Sequence, residues 1–371
     1  MNSTTKLAGV VLLWISQLCL GEASFQALDF NAYGVSADGR VLVGKESGPV
    51  LPPAYRWSEV DGTTVLGLVP DGCSTTGAWG ASADGSVVVG SSSTDGFRWT
   101  ASQGFETYTS QLGQPFWARG VTHDGTTVVG KTISDGQEVA ATVSATSGLS
   151  ILGDLPGGRT EAIAYGVSAD GSVVVGRGVS EQSDQNGYLG REAFRWTAEQ
   201  GMVGLGSLPG GKYDTVAYSV SANGNVIVGE GYAADGYSEA FRWTAEEGMV
   251  GLGRLASDRF CGSTANDVSA DGSIIVGFSQ SGVVVNGEAF IWDVEHGMRS
   301  LRDVLSQQYR LDMTGWHLYE ARGISDDGLT IVGRGLAPDL TFCSWVARVP
   351  EPATLLLVGI GTAFLSRRRL A

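Results

Sequence analysis

The stretch Ala164–Gly176, A-Y-G-V-S-A-D-G-S-V-V-V-G, recurs in recognisable form seven times and confines the chain to a repeat architecture. Its Asp-Gly or Asn-Gly steps begin at Asp38, Asp84, Asp124, Asp170, Asn223, Asp271 and Asp327, at intervals of 46, 40, 46, 53, 48 and 56 residues. Five residues beyond the glycine of each step stands a second one: Gly44, Gly90, Gly130, Gly176, Gly229, Gly277 and Gly333. Each unit places two β-rich runs around a dipeptide that supplies positive φ angles, so each is expected to form a strand, a tight two-residue turn and a strand.

Every unit also has a second half. An aromatic run follows the hairpin: Ala54-Tyr55-Arg56-Trp57, Phe97-Arg98-Trp99-Thr100, Ala193-Phe194-Arg195-Trp196, Ala240-Phe241-Arg242-Trp243, Ala289-Phe290-Ile291-Trp292 and Phe342-Cys343-Ser344-Trp345. The third unit departs, with Ala140-Ala141-Thr142-Val143. Most copies then carry a turn and a fourth run, at Thr64–Leu68, Leu149–Leu152, Met202–Leu205 and Met249–Leu252. Four strands in about 45 residues is the content of one propeller blade, and seven such units predict an all-β, seven-bladed β-propeller of four-stranded antiparallel blades. The seventh unit ends at Val349 without a fourth strand. Residues Phe25–Phe30 precede the first repeat and are assigned as that missing outer strand, closing the ring and covering an otherwise open sheet edge.

Composition agrees with many short strands joined by tight turns. Of 371 residues 55 are glycine, without a collagen period, and 43% are hydrophobic, which argues against disorder. The net charge is −15. Residues 1–23 are neutral, with Lys6 and Glu22, and residues 349–371 set Glu351 against three arginines, a net +2, so the 24–348 body stands at −17. A body this acidic repels phosphates, which excludes sequence-independent nucleic-acid binding. Cys73, Cys261 and Cys343 show no C-x-x-C spacing, so no zinc site of the usual kind is expected and at most one disulfide.

The two ends read as targeting segments. Lys6, the apolar run Leu7–Leu20 and the small-x-small site Gly21-Glu22-Ala23 have the layout of a signal peptide, residues 1–23. Residues 349–371 read V-P-E-P-A-T, then an apolar run Leu355–Leu365, then Ser366-Arg367-Arg368-Arg369. This order of Pro350-Glu351-Pro352, short apolar helix and arginine cluster resembles the PEP-CTERM sorting signal of Gram-negative envelope proteins. The resemblance implies cleavage near Pro350–Pro352 by an exosortase-type membrane protease, transient membrane association through the helix, and then the cell surface or the medium. The competing reading is an ordinary tail anchor, whose arginines would set the same topology. In its G-V-S-A-D-G-S-V-V-V-G and A-F-R-W-T motifs the body resembles, over residues 32–348, extracellular HAF repeats. The name-giving histidine is absent, with Glu192 or Glu239 before Ala-Phe.

No catalytic set, metal site or cofactor motif is visible. His123, His296 and His317 fall in different turns and loops, too dispersed to converge on one ion. The repeated aspartates belong to separate blades, whereas calcium needs six to eight oxygens on one ion. Gly204-Leu205-Gly206 and Gly251-Leu252-Gly253 recur at repeat spacing and precede no helix, so they are not dinucleotide loops. The recurring tryptophans are expected between blades.

Two groups remain as a candidate ligand surface. One residue near the start of each hairpin varies while its surroundings do not: Tyr33, Trp79, Arg119, Tyr165, Tyr218, Asn266 and Arg322, expected near the mouth of a central channel, where they would stack on sugars or grip an acidic polymer, or else pack between blades. The second group, Tyr309, Trp316 and Tyr319, lies in the long connection Arg302–Glu320, expected on the same face as the insertion Gly178–Glu192. The expected role is binding or structural, at the envelope or in an extracellular polysaccharide matrix. The alternative is a polysaccharide hydrolase or lyase using carboxylates such as Asp184, Glu192 and Asp235, which would have to pair at about 5 to 10 Å.

Overall fold

The computed structural model describes residues 22–46, 53–67, 69, 77–185, 190–255, 262–280 and 287–350. The signal-peptide run, Cys73, Cys261, Glu351, Pro352, the apolar tail and Arg367–Arg369 lie outside them. The described chain forms seven four-stranded antiparallel sheets, here blades one to seven with strands a (inner) to d (outer). Blades one to six take consecutive strands, from Asn31–Val35 to Gly297–Ser300. Blade seven takes its inner strands from the C-terminal end (His317–Ile324, Thr330–Leu336, Phe342–Arg348) and its outer strand from Ser24–Leu28. That strand pairs from Ser24 opposite Arg348 to Leu28 opposite Ser344, so the expected closure is realised.

The chain packs through its seams. Strand b is apolar at consecutive positions because both of its faces meet a neighbouring blade. In blade four, Val174 joins the core shared with blade three, and Val173 and Val175 join the core shared with blade five. All three are at most 3% exposed. Seven hydrophobic clusters result, one at each seam. The phenylalanine of the A-F-R-W run is fully buried in blades two, four, five and six. The following tryptophan packs at the seams, completely so for Trp345.

The turn differs from the tight two-residue form expected. In the seven repeated Asx-Gly steps only the glycine has a positive φ (Gly171, 77°), and the Asp or Asn before it does not. The loop is four residues long. In blade four Ser168 N donates to Val173 O at 2.9 Å, and Gly171 N donates to Ser168 O at 3.0 Å. The buried Ser168 hydroxyl donates to Asp170 Oδ1 at 2.8 Å and accepts from Val173 N at 3.0 Å, while Ser172 N donates to the same carboxylate. The Ser/Thr before each step was the missing part: its hydroxyl replaces the second positive φ as the device that closes the turn.

Consecutive turns are tied into a ring of backbone hydrogen bonds. Ala83 N donates to His123 O, His123 N to Ala169 O, Ala169 N to Ala222 O, Ala222 N to Ala270 O, Ala270 N to Asp326 O, Asp326 N to Ala37 O, and Asp38 N to Ala83 O. Each blade is thereby fixed to the next around the whole circle.

Each strand a carries a β-bulge opposite the second glycine of its hairpin, between Ala32 and Gly34, and at the equivalent positions in every other blade. The bulge brings a strand-a carbonyl against that glycine: a Cβ on Gly176 would sit 2.0 Å from Ile163 O and 2.9 Å from Ala164 Cα. Both are backbone atoms with no room to give. Gly176→Ala is expected to cost about 3 kcal/mol, read as a lower urea midpoint; an unchanged midpoint would contradict the bulge. Deleting residues 24–31 removes Leu28 and Phe30 from the seam between blades seven and one. A loss of at least about 4 kcal/mol is expected, and unaltered thermal unfolding would show that the ring does not depend on this strand.

Candidate functional site

The bulged residues are the seven that vary: Tyr33, Trp79, Arg119, Tyr165, Tyr218, Asn266 and Arg322. A bulge re-aims the extra side chain away from the ladder. All seven line one central cavity of about 500 Å³, together with the residues that follow them. Those followers are glycine in five blades and Ser219 and Asp267 in the other two. In blade one a Cβ on Gly34 would come within 2.7 Å of Trp79 O, so the inner strands approach too closely there for a side chain.

The two exceptions form a cross-link. Ser219 Oγ donates to Asp267 Oδ1 at 2.6 Å, Val268 N donates to the same oxygen at 2.9 Å, and Ile324 N donates to Asp267 Oδ2 at 2.9 Å. One carboxylate therefore ties blades five, six and seven. Burial pushes its pKa up to about 6, against those hydrogen bonds, which pull it down, with Asp326 adding like charge.

The halves of the ring differ. On the side of blades four to seven the polar tips are paired: Tyr165 Oη accepts from Arg177 Nε at 3.2 Å, Tyr218 Oη donates to Glu230 Oε1 at 2.8 Å, and Asn266 Nδ2 donates to Glu320 Oε1 and Ala321 O at 3.2 and 2.8 Å. Burial and Glu230 raise the Tyr218 pKa, so its hydroxyl stays protonated. Arg322 Nε meets Glu320 at 3.1 Å.

On the side of blades one to three, aromatic rings hold the cations. The Arg322 guanidinium lies 4.6 Å and Lys45 Nζ 5.8 Å from the Tyr33 ring centroid. Arg119 lies 5.5 Å from the Trp79 ring and Lys131 Nζ 5.4 Å from that of Trp117. Trp79 is locked by Nε1 donating to Ser91 Oγ at 2.8 Å, and packs on Tyr33 at 4.8 Å. A second cavity of about 480 Å³ opens here and shares Trp79 and Arg119 with the first.

At the opposite end of the channel a pair reaches across, the one such ion pair among the described residues. His123 Nε2 lies 3.6 Å from Asp326 Oδ2, and the two belong to blades three and seven, across the ring from each other. They occupy the turn position held by Ala37, Ala83, Ala169, Ala222 and Ala270 elsewhere, and neither lines the central cavity. Burial raises the Asp326 pKa, His123 opposes the rise, and Asp327 adds to it. The sequence signal was present, since T-H-D-G and S-D-D-G are the two copies that depart from alanine.

Tyr309, Trp316 and Tyr319 are not brought to this cavity. A short helix, Leu301–Gln307, opens the connection, and strand a of blade seven already begins at His317. Tyr319 is therefore a strand residue, 8% exposed. Trp316 packs edge-to-face on Phe25 at 4.8 Å, and Tyr309 packs against the same core. The carboxylates considered for hydrolysis are engaged separately: Asp184 with Arg159 at 3.0 Å, and Asp235 with Arg254 at 2.6 Å. Glu192 Oε1 accepts from Gly206 N at 3.0 Å, and Glu239 Oε1 does the same for Gly253 N at 3.1 Å. The Gly-Leu-Gly fragments are thus the ends of outer strands, where a glutamate carboxylate is received: a Cβ on Gly204 would lie 2.2 Å from Glu192 Oε1. Among the described residues no three His, Cys, Asp or Glu side chains gather to hold a metal ion.

Comparison with known proteins gives a motif and a fold. Residues 348–369 match the PEP-CTERM protein-sorting motif. Comparison with curated proteins gives no match. Among solved structures, oligogalacturonate lyase from Vibrio parahaemolyticus is similar at 10% identity and TM-score 0.55, over 89% of this chain and 98% of that one. An oligogalacturonate lyase in complex with manganese is similar at 12% identity and TM-score 0.51, over the same shares. TolB from Acinetobacter baumannii matches at 15% identity and TM-score 0.46 over 71% of this chain; the alignment spans 63% of that protein's length. At these identities the likeness is one of fold.

Asp267 has a measurable consequence. Its pKa in the fold is above its ordinary value of 3.8, so the stability associated with it is fully present below about 3.8 and is lost as pH rises through about 6. The hydrogen-bonded turn carboxylates Asp84, Asp124, Asp170 and Asp271 are shifted down, and their contribution is lost in the other direction, as pH falls through their folded values. The windows are separate. Asp267→Asn is expected to reduce the fall in unfolding free energy between pH 4 and 6.5 by up to about 3 kcal/mol. An identical pH profile in wild type and variant would show that Asp267 is not the group titrating there.

Proposed function

We propose that the protein is exported through its N-terminal signal peptide, sorted by its C-terminal motif, and acts at the cell surface as a binding protein that takes a polysaccharide at the mouth of its central channel. The carrying observation is the bulge: the seven unrepeated side chains of a repeated scaffold are gathered around one cavity. A rigid frame with variable residues at one place is the usual arrangement of a binding site. Aromatic rings and polar groups suit sugars, whose faces are apolar and whose edges carry hydroxyls. The separate engagement of Asp184, Glu192 and Asp235 favours binding over hydrolysis or elimination. The motif resemblance of the body to HAF repeats supports an extracellular location.

The sorting match implies export and processing by an exosortase. Its finer consequences follow from the tail: the apolar run Leu355–Leu365 lodges in the membrane, Arg367–Arg369 stay on the cytoplasmic side, and cleavage near Pro350–Pro352 releases the propeller. Replacing Pro350, Glu351 and Pro352 by alanine is expected to leave the uncleaved chain in the membrane fraction, read by intact mass. Wild-type processing in that variant would reject the exosortase reading.

Binding is tested with the purified protein on an array of neutral and acidic polysaccharides. Trp79→Ala removes the ring that carries Arg119 and packs on Tyr33, and is expected to weaken glycan binding at least about tenfold. Trp316→Ala, corrected for stability, should not. Absence of any glycan binding by the wild type would overturn the reading, as would turnover of a bound polysaccharide or loss of binding in Trp316→Ala alone.

A further inference from the structure

We propose that the sector of the channel mouth between blades one and three is selective for carboxylated sugars, with Arg119 and Lys45 as the groups that grip the carboxylates of a uronate chain. This rests on the reading of the mouth as a polysaccharide site and specifies its substrate class. The surrounding protein is strongly acidic, with a net charge of −15, so a cluster of cations here is a local reversal of sign. The cavity beside blades two and three is lined by Lys45, Arg119 and Lys131 against one carboxylate, Glu138. Glu138 is taken by Lys131. On the adjoining rim Glu320 is taken by Arg322 and Arg334, at 3.1 and 2.7 Å.

Arg119 and Lys45 have no ion pair among the described residues. Arg119 Nε is moreover buried without a hydrogen-bond partner. A buried guanidinium donor left open costs free energy that an incoming oxygen acceptor recovers. Both cations rest on aromatic rings, Arg119 on Trp79 and Lys45 on Tyr33, and those rings pack on each other. The rings hold the charges in place without neutralising them, as a carboxylate partner would. Two cavities of about 500 and 480 Å³, lined in common by Trp79 and Arg119, give room for more than one sugar unit. Ser91, Ser92, Ser93 and Trp117 line the second, a surface suited to sugar hydroxyls and ring faces rather than to a bare inorganic anion.

The test uses a matched pair of probes, a β-1,4-linked mannuronate tetramer and the corresponding neutral mannose tetramer, measured by calorimetry on the purified full chain. The uronate is expected to bind at least about tenfold more tightly at low salt, from charge-assisted hydrogen bonds to its carboxylates. Its advantage should shrink as salt is raised, since exposed charges are screened. Arg119→Gln and Lys45→Gln should each weaken the mannuronate tetramer far more than the mannose tetramer, removing most of that advantage. Inorganic phosphate at millimolar concentration should not compete. Equal affinity for the two tetramers would overturn the proposal and leave the carbohydrate reading intact. Equal loss of both tetramers in Arg119→Gln would also overturn it, as would competition by phosphate. Absence of binding by either tetramer and by every polysaccharide on the array would overturn both.

Discussion

Burial of both faces of every blade is the constraint on which the rest of the structure depends. A four-stranded sheet with one wet face would alternate apolar and polar residues along its second strand. Here Val173, Val174 and Val175 are all inside, because blade three lies on one face and blade five on the other. No blade can satisfy its own strand b, so none is stable alone, and the ring must close. That requirement gives Ser24–Leu28 its place: without it strand c of blade seven would present an open edge and the last seam would lose Leu28 and Phe30. The hydrogen-bonded circle at the turns follows from the same geometry, since neighbours held at constant spacing bring each turn amide onto the next carbonyl.

The bulge converts this uniform frame into one with a distinctive centre. The paired glycine on strand b, Gly176 and its equivalents, leaves room for the strand-a carbonyl that the bulge displaces. The glycine after the bulge lets inner strands approach one another. Between the two, a single residue per blade is released from ladder and seam alike. That residue varies from blade to blade because the repeated ladder and seam contacts do not fix its side chain. Where the following glycine is replaced, the replacement is explained: Asp267 needs Ser219 and the Ile324 amide, and supplies in exchange a cross-link over three blades.

The strands, their number and the closure were legible in the sequence because they are local signals written seven times. The turn was legible only in part. Asp-Gly was read for its φ angles, whereas the serine before it, equally regular, was the residue that fixed a longer loop. The ring residues were visible by their variation, but no sequence rule supplied the bulge that gathers them, since a register shift is a property of two strands together. Trp316 and Tyr319 were misplaced for a different reason: the seven-residue helix Leu301–Gln307 shortens the apparent loop, so aromatics read as loop display fall on a strand and its approach. His123 and Asp326 were each visible as departures from alanine. Their meeting was not, because it joins blades that are distant both along the chain and around the ring.

The electrostatics of the centre follow from where partners are affordable. A cation placed in an acidic protein is ordinarily claimed by the nearest carboxylate, as Arg322 is by Glu320, Arg191 by Asp214 and Arg254 by Asp235. Such pairs are common here and worth little individually at the surface. Lys45 and Arg119 escape this because their neighbours across the bulges are aromatic, and a ring face attracts a cation without cancelling its charge. The same substitution of tyrosine and tryptophan for carboxylate keeps the sector open to an anion and keeps the side chains ordered in its absence. On the binding reading proposed above, an acidic ligand would be repelled by most of the surface and held only where it reaches this sector, so that the acidic exterior and the cationic mouth would together select where an anionic chain settles.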